Sequence, residues 1–162
     1  MNNKVVISDV DGCLTDGKFI YTADGKVAKI FGPHDNDGVK LLKANNFDVV
    51  FISADKRGFP ITKRRIDDMN CPVFNVSESD RMGWVKNYIE MNEYRFSVFF
   101  GDGISDITVM DVVDKFACPA NARKEVKMVA DYVTDSIGGQ GAFLDFAQWV
   151  IETYNDNAEY YA

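Results

Sequence analysis

Two aspartates close the first apolar run of the chain, Val5-Val6-Ile7-Ser8-Asp9-Val10-Asp11-Gly12. Alternate side chains of an extended strand share a face, so Asp9 and Asp11 start out pointing the same way and crowd one spot. Like charges that close raise each other's pKa unless a cation joins them, which leaves a shared proton or a bound metal. A second acidic cluster, Gly101-Asp102-Gly103-Ile104-Ser105-Asp106, follows a later apolar run. It is not a dinucleotide fingerprint, because the third glycine is missing and the cluster lies far beyond a first βαβ unit. Calcium loops fit no better: Cys13 stands where a ligand oxygen is needed, and Asp35-Asn36-Asp37-Gly38 lacks the spacing of a twelve-residue loop. Carboxylates in these places match Mg²⁺, which takes one or two of them, keeps several waters and completes its shell with phosphate oxygens.

The elements that must hold these groups alternate along the chain. Apolar runs at 5–9, 49–53, 72–75, 96–101, 115–118 and 132–133 read as strands. Helical patterns fall between them at about 39–45, 60–69, 79–91, 105–112 and 122–129, with a last helix over 142–155. This order specifies an α/β fold, a three-layer, Rossmann-like, mainly parallel sheet with helices on both faces and ligands at the carboxyl ends of its strands. Asp9, Ser53 and Asp102 each fall at or just past such an end. Between the first two strands, residues 18–23 and 26–31 flank Asp24-Gly25, a strong hairpin signal. The arm at about 18–31 carries Phe19, Ile20, Tyr21, Ile30 and Phe31, so its apolar face calls for a partner surface in the same domain or a neighbouring subunit.

A chain of 162 residues with 46% hydrophobic content supports a single domain over 1–162. Its net charge of −7 argues against nucleic acid or an anionic membrane as partner, and a small anionic substrate then needs a local cation. Cys13, Cys71 and Cys118 form no close-spaced pair, which fits reduced thiols in a cytoplasm. Met1 to Lys4 lead directly into the first strand without the features of a signal peptide, and no apolar stretch reaches a membrane span. Trp84, Tyr88, Phe143 and Phe146 read as core or subunit contact, and His34, the single histidine, as a loop residue, with a place near the pocket mouth as the alternative that would let it touch substrate.

Asp9-Val10-Asp11-Gly12-Cys13-Leu14-Thr15-Asp16-Gly17 resembles the first motif of the haloacid dehalogenase superfamily, and Gly101-Asp102-Gly103-Ile104-Ser105-Asp106 resembles its fourth. Ser53 stands where that family has a strand-end Ser or Thr. Arg81, or failing that Lys86, stands in for its cation. Short connections leave no room for a large cap, and the hairpin and the late Gly138-Gly139-Gln140-Gly141-Ala142 are similar to the capless branch that acts on phosphorylated keto sugar acids. The resemblance implies a Mg²⁺-dependent, cytoplasmic phosphomonoester hydrolase working through an aspartyl-phosphate, and a homotetramer joined through the arm. It implies Asp9 as nucleophile, Asp11 as general acid and base, Ser53, Ala54 and Arg81 on the phosphate, and Asp106 orienting a metal-bound water or Arg81. Asp9, the carbonyl of Asp11 and Asp102 would hold the metal.

The chain also departs from that branch. Ser53-Ala54-Asp55 replaces a common Thr-Gly-Arg, Gln140 and Phe143-Leu144-Asp145 stand where arginines are usual, and Gly103 replaces a frequent second aspartate. Two alternatives stay open at this level: a non-catalytic assembly domain and a phospho-receiver on a similar fold.

Overall fold

The computed structural model describes residues 2–155; Met1 and residues 156–162 of the expected 1–162 domain lie outside them. The strands are β1 (Lys4–Asp9), β2 (Ile20–Thr22), β3 (Gly25–Ala28), β4 (Phe47–Ser53), β5 (Val73–Asn75), β6 (Phe96–Phe100), β7 (Lys115–Cys118) and β8 (Tyr132–Val133). The α-helices are α1 (His34–Ala44), α2 (Phe59–Asp68), α3 (Arg81–Met91), α4 (Lys124–Val129) and α5 (Ala142–Tyr154).

Among the described residues six strands form one sheet in the order β5-β4-β1-β6-β7-β8, every pairing parallel. The chain runs outward from β1 through β4 to β5, then returns to the other side of β1 with β6. The order therefore reverses beside β1, where open parallel sheets bind ligands.

The period of two along each strand divides the core. Val6, Val49, Phe51, Val98 and Phe100 face α1, α2 and α5, while Val5, Ile7, Val50, Ile52 and Phe99 face α3 and α4. Phe143 and Phe146 pack on the first face, where Phe146 stacks on Phe100 with centroids 4.4 Å apart. Trp84 and Tyr88 stack on each other at 4.8 Å on the opposite face. The four aromatics that read as one group thus serve two separate clusters.

Residues Ile104–Val112 form a 3₁₀-helix where the sequence pattern suggests an ordinary helix. β-Branched residues weaken the α form, and the packed Ile107, Met110 and Val113, like Val109 and Val112, recur every third residue, the period of a 3₁₀ turn. The hairpin is also shifted by one residue. Thr22 pairs with Gly25, so Ala23 and Asp24 make the turn and Gly25 begins β3 at φ +111°. The Asp24 amide donates to Thr22 Oγ1 at 3.2 Å, which closes the loop one residue early.

Candidate active site

Three neighbouring strand ends bring the acidic groups together: Asp9 ends β1, Ser53 ends β4, and Asp102 follows β6. Gly12 determines how near they come. Its φ is +88°, and a Cβ there would lie 1.9 Å from Asp102 Oδ2, so only glycine leaves room for that carboxylate. Carboxylate oxygens of Asp9, Asp102 and Asp106 all lie within 4.8 Å of one another. Asp9 Oδ1 accepts from the Val10 amide at 2.9 Å, and Asp106 Oδ2 accepts from the Gly103 amide at 2.9 Å.

Arg81, at the first turn of α3, is buried with a 3% exposed side chain, paired with Asp106 and 3.6 Å from Asp9 Oδ2. Burial alone would weaken its hold on a proton, but Asp9 and Asp106 outweigh that and push its pKa up. Lys86 lies farther along α3, 58% exposed and 4.0 Å from Glu90.

One cation is too few for three buried carboxylates. Burial, followed by the charge of Asp106, raises Asp9 well above the usual range and Asp102 to about 7. Asp106 is raised by burial in spite of Arg81. A divalent ion answers this imbalance, since it favours the ionised form of all three and takes oxygen donors. The donor set therefore fits Mg²⁺.

Asp9, Asp102 and Arg81 line a cavity of about 420 Å³ with Asp11, Gly17, Phe19, Lys26, Ala54, Asp55, Glu78, Gly103 and Ser105, while Asp106 is buried beneath it. Its size suits a small ligand. Ser53 is buried behind the wall: its hydroxyl donates to Asp11 Oδ2 at 3.2 Å and accepts from the Asp55 amide at 3.2 Å. Its hydroxyl is thus bound to Asp11, and Ala54 is its neighbour on the cavity surface. His34 is not a loop residue: it opens α1 just after Pro33, is half exposed with Nδ1 3.6 Å from Asp37, and does not line the cavity.

Sequence patterns gave no sign of Lys26, Lys29 and Asp55. Lys26 Nζ lies 2.6 Å from Asp55 Oδ2, Lys29 Nζ lies 2.9 Å from the same oxygen, and Lys29 Nζ lies 2.8 Å from Asp11 Oδ1. Burial would raise Asp55, but hydrogen bonds from Lys26, Lys29 and the Gly58 amide hold it at about 2. The available signal was a coincidence of two departures, an aspartate after Ser53-Ala54 and lysines on an otherwise apolar hairpin.

No protein-family model matches the chain. It is 29% identical over 153 residues to the 3-deoxy-D-manno-octulosonate 8-phosphate phosphatase of Haemophilus influenzae, across 93% of this chain and 84% of that protein. The structure of the cobalt-bound deoxy-D-mannose-octulosonate 8-phosphate phosphatase from the same organism matches with a TM-score of 0.82 at 29% identity, covering 93% of this chain and 88% of that one. The 3-deoxy-D-manno-octulosonate 8-phosphate phosphatase of Moraxella catarrhalis, in complex with magnesium, phosphate and a KDO molecule, matches at 0.82 with 22% identity over 92% of this chain and 86% of its own, a likeness of fold.

Proposed function

We propose that this chain, a phosphatase of the haloacid dehalogenase type, removes phosphate from a small keto sugar acid of the 3-deoxy-D-manno-octulosonate 8-phosphate or sialic acid 9-phosphate type. The observation that carries this reading is the meeting of Asp9, Asp102 and Asp106 within 4.8 Å beside a cavity that Arg81 also lines. Phosphate-monoester hydrolysis needs up to ~10²¹-fold acceleration, so no single device suffices.

In the first step a carboxylate oxygen of Asp9 attacks phosphorus. The bond from phosphorus to the sugar oxygen breaks with its electron pair on that oxygen, which takes the proton carried by the Asp11 carboxyl group. The sugar leaves as an alcohol and Asp9 holds the phosphoryl group as a mixed anhydride, dividing one difficult displacement into two. A water molecule then attacks phosphorus and gives a proton to the Asp11 carboxylate. The anhydride breaks, restoring Asp9 and releasing inorganic phosphate. Arg81 neutralises charge on the phosphoryl oxygens, Asp106 holds Arg81 in place, Ala54 lines the phosphate end of the cavity, and Ser53, expected on the phosphate, acts instead on Asp11 through its hydroxyl. Asp9, Asp102 and the carbonyl of Asp11 would hold Mg²⁺, which when bound would supply the charge that lets an anionic nucleophile approach an anionic ester.

We read residues 1–162 as one phosphatase domain with an arm at 18–31. The exposed Ile20, Tyr21, Val27 and Ile30 of that arm support a homotetramer. The buried, free thiols of Cys13, Cys71 and Cys118 support a cytoplasmic location.

Assaying phosphate release from a panel of sugar phosphates with Mg²⁺, and again after chelation, tests the activity. Turnover of an eight- or nine-carbon keto acid phosphate that stops on chelation is expected; no release from any ester, aryl phosphate included, sinks the reading. Gly12→Ala, which displaces Asp102, is expected to weaken Mg²⁺ by ~10–100-fold, the usual effect of losing a group that supports metal ligands. Calorimetric titration with Mg²⁺ reads this out, and an unchanged affinity counts against Asp102 as a ligand.

A further inference from the structure

A lysine ammonium is strongly hydrated, so it is buried only where its donors find partners inside the protein. Lys29 follows β3 directly, and its side chain is 0% exposed. Its Nζ lies 2.8 Å from Asp11 Oδ1 and 2.9 Å from Asp55 Oδ2, and it donates to Thr62 Oγ1 of α2 at 2.8 Å. Three donors thus meet three oxygens. Lys26 joins the same cluster through Asp55. The ionised Asp55 together with the oxygens of Asp11 and Thr62 makes burial of the ammonium tolerable.

Anchoring the hairpin does not by itself account for Lys29. Lys26 already ties the arm to Asp55 at 2.6 Å and lies 3.5 Å from the centroid of the Phe19 ring. What Lys29 adds is a grip on Asp11. Lys29 does not line the cavity, whereas Asp11, Lys26 and Asp55 do. Any effect of Lys29 on a bound ester must pass through Asp11. That carboxylate is held at both oxygens, by Lys29 on Oδ1 and by the Ser53 hydroxyl on Oδ2. A carboxyl group that moves a proton must stay within hydrogen-bond reach of the reacting oxygen, and two such holds restrict its rotation.

We infer that Lys29 is a positioning residue for proton transfer: it fixes the Asp11 carboxyl group towards the leaving oxygen and so couples seating of the hairpin to cleavage of the ester. This rests on the reading of Asp11 as general acid and base. In the cleavage step the phosphorus–oxygen bond breaks with its electrons on the sugar oxygen, which receives the proton from Asp11, while Lys29 keeps all its own protons.

Leaving groups separate this role from a merely structural one. A sugar alkoxide needs a proton as it departs; a nitrophenolate does not. With the full chain and Mg²⁺, kcat/KM reports formation of the aspartyl-phosphate alone. Lys29→Met is expected to lower kcat/KM on a sugar phosphate by on the order of 10²-fold, the lower end of what general acid catalysis supplies, and on para-nitrophenyl phosphate by no more than about 3-fold. Lys29→Gln, which keeps a donor in the same space, carries the comparison if the methionine variant does not fold. Equal losses on both esters, or no loss on either, overturn the inference. Wild-type protein that hydrolyses neither ester removes the underlying reading instead, so the two failures are distinguishable.

Discussion

Asp9→Asn is expected to lower kcat by on the order of 10⁶-fold on every ester, the scale of loss seen when a covalent nucleophile is removed. The amide nitrogen and carbonyl cannot replace the carboxylate oxygen in attack on phosphorus. The same substitution is expected to stabilise the metal-free protein at neutral pH, which is not the usual effect of changing a buried residue. Burial and the charges of Asp106 and Asp102 hold Asp9 well above the ordinary carboxylate range, so the folded chain binds the proton more tightly than the unfolded chain. Stability linked to this group is therefore present below about pH 4 and is lost as pH rises towards the folded pKa. Asp102, raised from 3.8 to about 7, acts in the same direction, its share being lost between those two values. Mg²⁺ binds the ionised set, so it is expected to raise Tm more at about pH 8 than at about pH 5. Asp9→Asn flattens the fall in metal-free stability and reduces the Mg²⁺ effect. Steady-state assays and thermal melts across this range, with and without Mg²⁺, check both parts. A variant that retains a tenth of wild-type turnover contradicts the role of Asp9.

Arg81→Met is expected to cost about 3–5 kcal/mol of stability at neutral pH, because it leaves Asp106 buried without its partner. Asp106 is fully buried and Arg81 is its paired cation, so solvent cannot make up the loss. Turnover falls as well, since the developing charge on the phosphoryl oxygens loses its neutralising group. Adding Asp106→Asn to Arg81→Met removes the unpaired charge and is expected to recover most of the stability and none of the activity. Lys86→Met serves as the comparison: that lysine is exposed at a weak surface pair with Glu90 and is expected to change stability by less than about 0.5 kcal/mol. Urea unfolding gives the stabilities, and phosphate release gives the activities. An Arg81→Met protein as active as wild type, or a Lys86→Met protein as impaired as Arg81→Met, contradicts the assignment of the cation.

The sheet could be read in the chain because its strands are short apolar runs bounded by turn residues, and their alternate residues supply both faces of the core. Asp9 and Asp102 were legible for a related reason: a carboxylate at the end of such a run has to emerge at one edge of the sheet. Ser53 was found by the same rule. The position of its hydroxyl was not, because donation to Asp11 depends on how β1 and β4 sit side by side. Gly12 was readable as a turn glycine, but its part in admitting Asp102 spans two strand ends distant in sequence. Lys29 was least legible. Its contacts join a hairpin, the loops after β1 and β4, and α2, and a lysine on a hairpin reads from sequence as a solvated charge. The one-residue shift of the turn depended on a single side-chain acceptor, Thr22, which no periodicity reveals.

The central claim is that phosphate passes through Asp9. Mixing the Mg²⁺-loaded protein with a sugar phosphate labelled at phosphorus, quenching in acid within one turnover and mapping the label by peptide mass spectrometry tests it most directly. Label is expected on the peptide containing Asp9, appearing before free phosphate and absent from Asp9→Asn. Full release of labelled phosphate with none ever found on Asp9, and undiminished by Asp9→Asn, would contradict it.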